Sequence, residues 1–226
     1  NPAINLIMGG DTLVYYYCFY PTNPFVQQGS AAVPTNYWLA IRAQLQDQDP
    51  NILYGWKTTY VPYNDPAVWG TVGGATGLPV GNWQSMANPQ TQQPLHLSMK
   101  LTTPHEQPPP CCPETNGVKW LQRPNLINGV DVNASQNFVL ADDFKCTNSG
   151  PITDIHLWGS WLNDQVDPGA SYTLAIWSDV PAGVNSPFSH PGSVLWTQPF
   201  GPGNYTVCPY TNVLENFYQG DGLGFM

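Results

Sequence analysis

Basic side chains are nearly missing from this chain. Six Lys and Arg stand against fifteen Asp and Glu in 226 residues, a formal net charge of −9. Binding nucleic acid takes a patch of cations that displaces counterions from phosphates, and six scattered ones cannot build it. Nucleic acid is therefore excluded as a partner. Long apolar runs are missing too. None approaches the ~20 residues of a membrane-spanning helix, so no membrane span is expected. Nothing at Asn1 reads as a signal peptide, so an exported chain is expected to be a mature or excised segment. No stretch keeps the i, i+3, i+4 apolar spacing of an amphipathic helix.

Catalytic signatures are absent as well. There is no G-x-S-x-G elbow for a serine hydrolase. His96, His105, His156 and His190 are scattered, without the HExxH spacing of a zinc enzyme. Glu106, Glu114 and Glu215 are the only glutamates, and the first two sit in a Pro-rich stretch, so a carboxylate pair placed across a sugar is not supported. The expectation is a protein that binds or assembles and is not an enzyme, with no cofactor.

What is present is aromatic and turn-rich. Aromatics make up 13% of the chain, charged residues only 9%, and there are 24 Pro and 21 Gly. Asn, Gln, Thr, Gly and Pro take the surface places that Lys and Glu fill elsewhere. This suits a rigid, neutral-polar extracellular surface and a fold of many short strands. The chain is organised around Asn137 to Leu162. There Phe138, Leu140 and Phe144 alternate with Ala141 and Asp143, a polar turn follows at Thr147 to Pro151, and Ile152, Asp154, His156 and Trp158 alternate again. Further strands are read at Thr12 to Tyr20, Asn36 to Gln46, Leu53 to Tyr60, Leu95 to Thr103, Ser171 to Val180, Ser193 to Phe200 and Tyr205 to Tyr210. Residues 61–94 read as a long loop region. Three prolines in a row within 104–118 mark a stiff linker. The expected organisation is residues 1–103, the linker 104–118, and residues 119–226.

The segments LADDFKC, GPITDIHLWGSW, IWSDVPA and SHPGSVLW resemble an uncharacterised repeat domain of bacterial secreted and surface proteins, a domain of unknown function. The resemblance is most specific over Lys119 to Trp196. It implies an all-β fold, an antiparallel β-sandwich of jelly-roll-like type. In the resembling domains the ADDF half comes first, whereas here it comes second. The start NLIMGGDTLVYYY and the end GDGLGFM echo each other. Together these imply that residues 1–103 are the back half of one sandwich and 119–226 the front half of another, completed by strands of a neighbouring repeat or subunit. The alternative is that the two halves pack on each other within one chain.

Candidate site residues follow from residue type. Asp142, Asp143 and Asp154, with His156 beside them, could converge as hard oxygen ligands for Ca²⁺. The competing reading has them capping the turn and pairing with Lys145. Cys18, Cys111, Cys112, Cys146 and Cys208 are disulfide candidates, and five is odd. Cys18 and Cys208 are the pair expected to bridge if the terminal strands are neighbours. Trp69 and Trp83, in the long loop, and Tyr15 and Tyr17, in the first strand, are the ligand or interface aromatics. Asn133 and Asn204 fit the glycosylation sequon. The reading that unites these is a structural, self-assembling module of an extracellular bacterial fibre, filament or sheath, with copies of itself as partners. The alternative is a carbohydrate-binding module of a larger secreted protein, with glycans as partners.

Overall fold

A computed structural model describes residues 6–47, 49–73, 77–79, 82–103 and 117–219. Fifteen strands are described in chain order: β1 (Leu6–Phe19), β2 (Phe25–Gln27), β3 (Thr35–Gln44), β4 (Tyr54–Lys57), β5 (Val68–Thr71), β6 (Gln84–Ser85), β7 (Met99–Thr102), β8 (Val118–Gln122), β9 (Val130–Asn133), β10 (Phe138–Cys146), β11 (Gly150–Ile152), β12 (Asp154–Trp161), β13 (Ser171–Val180), β14 (His190–Phe200) and β15 (Tyr205–Tyr218). The fold is all-β. The one helical turn among the described residues is a 3₁₀ turn at Leu162–Asp164, so no helix is long and apolar enough to cross a membrane.

The strands form a seven-stranded sheet in the order β1-β15-β9-β4-β12-β7-β8, a six-stranded sheet in the order β14-β13-β3-β10-β5-β6, and a two-stranded β11-β2 pair. Strands from before and after the expected linker are interleaved in both large sheets. β1 pairs with β12 and β15, and β3 lies between β10 and β13. Within the described residues each half thus finds strand partners in the other half of the same chain. The linker itself falls mostly on residues 104–116, outside the described residues.

Side-chain alternation explains the layering. In β3, Tyr37, Leu39, Ile41 and Ala43 join the main core, while Trp38 and Ala40 point to the opposite face. The main core takes Tyr17, Phe19, Tyr54, Trp56 and Trp161 from the seven-stranded sheet and Leu140, Phe144, Tyr172, Leu174 and Ile176 from the six-stranded one. Its aromatics meet edge to face, as in Tyr54–Tyr172 at 5.1 Å and Phe19–Phe200 at 5.1 Å. Such pairs add roughly 0.5–1.5 kcal/mol each beyond area burial. The outer face of the six-stranded sheet is apolar as well. Leu78 and Trp83 lie on it against Trp38, Ala141 and Trp177. The long loop of the sequence reading therefore holds two strands of that sheet, β5 and β6, and, in Leu78 and Trp83, a cover for a second core.

One more feature positions the site. β1 pairs with β15, β15 with β9, β9 with β4, β4 with β12, and β12 again with β1. These five strands close into a small barrel. The backbones approach closely where β4 meets β12. A Cβ on Gly159 would lie 2.4 Å from the Gly55 carbonyl oxygen and 2.6 Å from the Tyr54 hydroxyl. Backbone cannot yield there as a side chain would. Gly159→Ala should therefore cost about 1–3 kcal/mol through overpacking, read as a lower denaturation midpoint at unchanged slope.

Candidate functional site

The most unusual chemistry lies where β4, β9 and β15 run side by side. Trp56 and Val132 face the main core, so alternation turns Lys57 and Asp131 to the other side of the sheet, into the small barrel. The two residues are direct cross-strand partners. Glu215 of β15 sits opposite Asp11 of β1. Lys57 and Asp131 are fully buried, and Asp11 and Glu215 are almost so, at 2% and 5% exposure. Lys57 Nζ donates to Glu215 Oε2 in direct contact and to Asp131 Oδ2 at 3.3 Å. Ser160 Oγ donates to Asp11 Oδ2. The second oxygens, Asp11 Oδ1 and Asp131 Oδ1, accept no hydrogen bond.

Burial sets the electrostatics. It pushes Glu215 up to about 9, with the neighbouring Asp131 adding to the rise and Lys57 opposing it. Asp11 goes up to about 7, again through burial first and Asp131 second. One ligand atom from each of Asp11, Asp131 and Glu215 lies within 4.8 Å of the others. Lys57 already brings a positive charge among them and touches two of the three. The arrangement is a closed, dry ion cluster, suited to holding strands together and to passing protons between its own members. The surface cavities of about 440, 550 and 570 Å³ are lined by other residues.

The family model DUF7901, a domain of unknown function, matches residues 2–102 and 118–220. The chain belongs to this family. Both matched stretches of the DUF7901 chain contribute to the cluster, with Asp11 and Lys57 from the first and Asp131 and Glu215 from the second. No curated protein and no solved structure matches it.

The expected calcium set does not assemble in this DUF7901 chain. Asp142 and Asp143 are adjacent in β10 and so point to opposite faces. Asp142 Oδ2 accepts from the Leu97 N–H at 2.6 Å and from Gln122 Nε2 at 3.4 Å, close to His96. Asp143 Oδ2 accepts from Asn64 Nδ2 at 2.5 Å. Asp154 lies in the other sheet and accepts from Thr102 Oγ1 at 2.9 Å and Thr153 Oγ1 at 2.7 Å. None of the three caps the turn. There Lys119 Nζ donates to the Asn148 carbonyl at 3.1 Å and Ser149 Oγ to that of Gly29 at 2.8 Å. Lys145 instead lies over the Tyr63 ring.

The aromatic and asparagine candidates divide. Trp69 is buried in the main core, and Trp83 packs at 5.6 Å edge to face on Trp177. Neither is the exposed loop aromatic that the sequence suggests: Trp69 lies in β5 and faces the main core, and Trp83 covers the second one. Tyr17 is core, its hydroxyl accepting from Trp161 Nε1 at 2.8 Å, whereas Tyr15 is half-buried. Asn133 is buried and uses its side chain on the Gln219 carbonyl and on Ser135, so it is no glycan site. Asn204 is exposed in the turn between β14 and β15.

Cys208 is disulfide-bonded. Cys18 and Cys146 are buried thiols. Cys18 lies opposite Thr206, and Cys208 opposite Tyr16, so the expected Cys18–Cys208 bridge is out of register by two residues. Cys111 and Cys112 lie outside the described residues.

Proposed function

We propose that the chain is a structural module of an extracellular array, a jelly-roll-like β-sandwich that associates with further copies of itself through a sheet edge. Two large sheets sharing one aromatic core support the sandwich. The observation that carries self-association is β14. It is the outermost strand of the six-stranded sheet, and its outer edge pairs with no strand among the described residues. Unpaired main-chain donors and acceptors template another strand. Val194 and Leu195 are exposed at 42% and 47%. His190 to Phe200 carries no Asp, Glu, Lys or Arg. In a chain of net charge −9, an uncharged edge lets like copies approach. Pro191 and Pro199 bound the segment that can pair.

The Cys208 disulfide supports an oxidising compartment, as outside a cell. The sugar-binding reading rested on Trp69 and Trp83, and both are buried. The polar groove of Arg42, Gln44, Asp47, Gln136 and Asn137 has no aromatic face on which a sugar would stack.

Electron microscopy and sedimentation of the native protein, without reductant, test the proposal. Ordered assemblies are the expected result, dispersed by Leu195→Lys together with Val194→Lys, since like charges across a strand edge repel. Compact monomers at every concentration would overturn it.

A further inference from the structure

The buried cluster supports a conclusion that does not depend on the β14 edge. We propose that Lys57 and Glu215 become joined covalently, through an amide bond between Nζ and the Glu215 carboxyl carbon, with Asp131 carrying the proton.

The geometry places the three groups as such a reaction needs them. Lys57 on β4 and Glu215 on β15 flank β9, and Asp131 projects from β9 directly across from Lys57. The amine and the Glu215 carboxyl are in direct contact. Asp131 Oδ2 lies 3.3 Å from the same nitrogen, and its Oδ1 accepts no hydrogen bond, so an acceptor remains beside the pair. Three strands of a closed barrel fix all three residues, and packing leaves Lys57 and Asp131 no solvent exposure.

In open water an amine and a carboxylate form an ion pair and do not condense. Here two conditions differ. Charge separation is costly in a dry interior, so passing the proton from ammonium to carboxylate within the contact removes both charges. A neutral amine against a neutral carboxylic acid is the reactive pair. Rigid juxtaposition then replaces a bimolecular encounter, with effective concentrations of about 10⁵–10⁸ M in well-oriented cases. Nζ attacks the carboxyl carbon and forms the C–N bond. The Asp131 carboxylate takes a proton from the nitrogen and returns it to the departing hydroxyl as the C–O bond breaks. One water leaves, Asp131 ends as it began, and no oxidant, reductant or outside co-reactant is required.

The link would tie two residues 158 positions apart. It would join the first matched stretch to the last described strand of the second. Pulling on the chain at both ends would then load the link and spare much of the sequence between. That property suits a module in an array under tension.

The test is the intact mass of the purified full chain after reduction of its disulfides. The expected mass is that of the sequence less one water. A digest should contain one branched peptide joining the segment around Lys57 to the segment around Glu215, and no cleavage after Lys57 by a lysine-specific protease. Glu215→Gln should give the same branched peptide with ammonia lost instead of water. Asp131→Asn, shown folded by circular dichroism, should keep its full mass. Wild-type protein at full sequence mass, with linear peptides containing Lys57 and Glu215, would overturn the proposal. A complete link in Asp131→Asn would overturn the role given to Asp131.

Discussion

Lys57→Met should lower the stability of the fold by about 3–5 kcal/mol, the cost of leaving Asp131 and Glu215 buried without the group that partners both. Met matches the stem of the lysine in length and apolar character, so packing changes little. The charge does not. Without Lys57, Asp131 and Glu215 remain side by side in the barrel with nothing positive near them. Chemical denaturation reads the loss directly. Adding Asp131→Asn and Glu215→Gln to Lys57→Met should restore much of the loss, since the barrel would then contain no charge from these three. An unchanged midpoint for Lys57→Met would mean that the cluster does not hold the strands.

Much of the fold was legible because alternation is strong in this chain. β10 and β13 lie almost where Phe138 to Cys146 and Ser171 to Val180 are read. β1 extends back from Thr12 to Leu6, past Gly9 and Gly10, because register shifts between Ile7 and Leu13 absorb the irregularity as bulges. β9 escaped notice for a different reason. Val130–Asn133 is four residues long and holds an aspartate and an asparagine, so it shows neither length nor an apolar run. Its strand identity comes from its partners on either side. The cover of the second core is the third case. Trp83 gives no local sign of burial, since what buries it is Trp177, far along the sequence.

The site was nearly illegible. Each member of the cluster stands alone in its strand, as YGWKTT, VDV and LEN, and no spacing relates them. A signal existed all the same. Lys57 is one of only six basic residues, and it sits directly after a tryptophan in a strand. In a chain with so few charges, an ionised group inside an aromatic strand marks a buried partner. Asp142 and Asp143 misled for the complementary reason. Adjacency in sequence looks like a cluster, but in a strand it sends the two carboxylates to opposite faces.

The fold should also lose stability as pH rises from about 4 toward 9. In the native state Asp11 is pushed up to about 7, Asp143 to about 8 and Glu215 to about 9, and Asp142 goes well above its ordinary value, each chiefly through burial. Unfolded, the same groups ionise near 4. Between those limits the native chain binds more protons than the unfolded one, so each unit of pH favours unfolding. The stabilisation is complete below the unfolded value and is lost as pH climbs through the folded one. His96 acts the other way. Burial lowers it, so its contribution is present above about 6.5 and fades as pH falls. One imidazole against four carboxyls leaves the trend downward, by on the order of a few kcal/mol between pH 5 and 9. Melting temperatures at pH 5, 7 and 9 check this, with the highest expected at 5, and a flat or rising series would contradict it. The series also bears on the covalent link. A Glu215 held in an amide cannot titrate, so in the linked chain it contributes nothing to the fall. Asp143→Asn should reduce the fall, because an amide at that position carries no proton to lose.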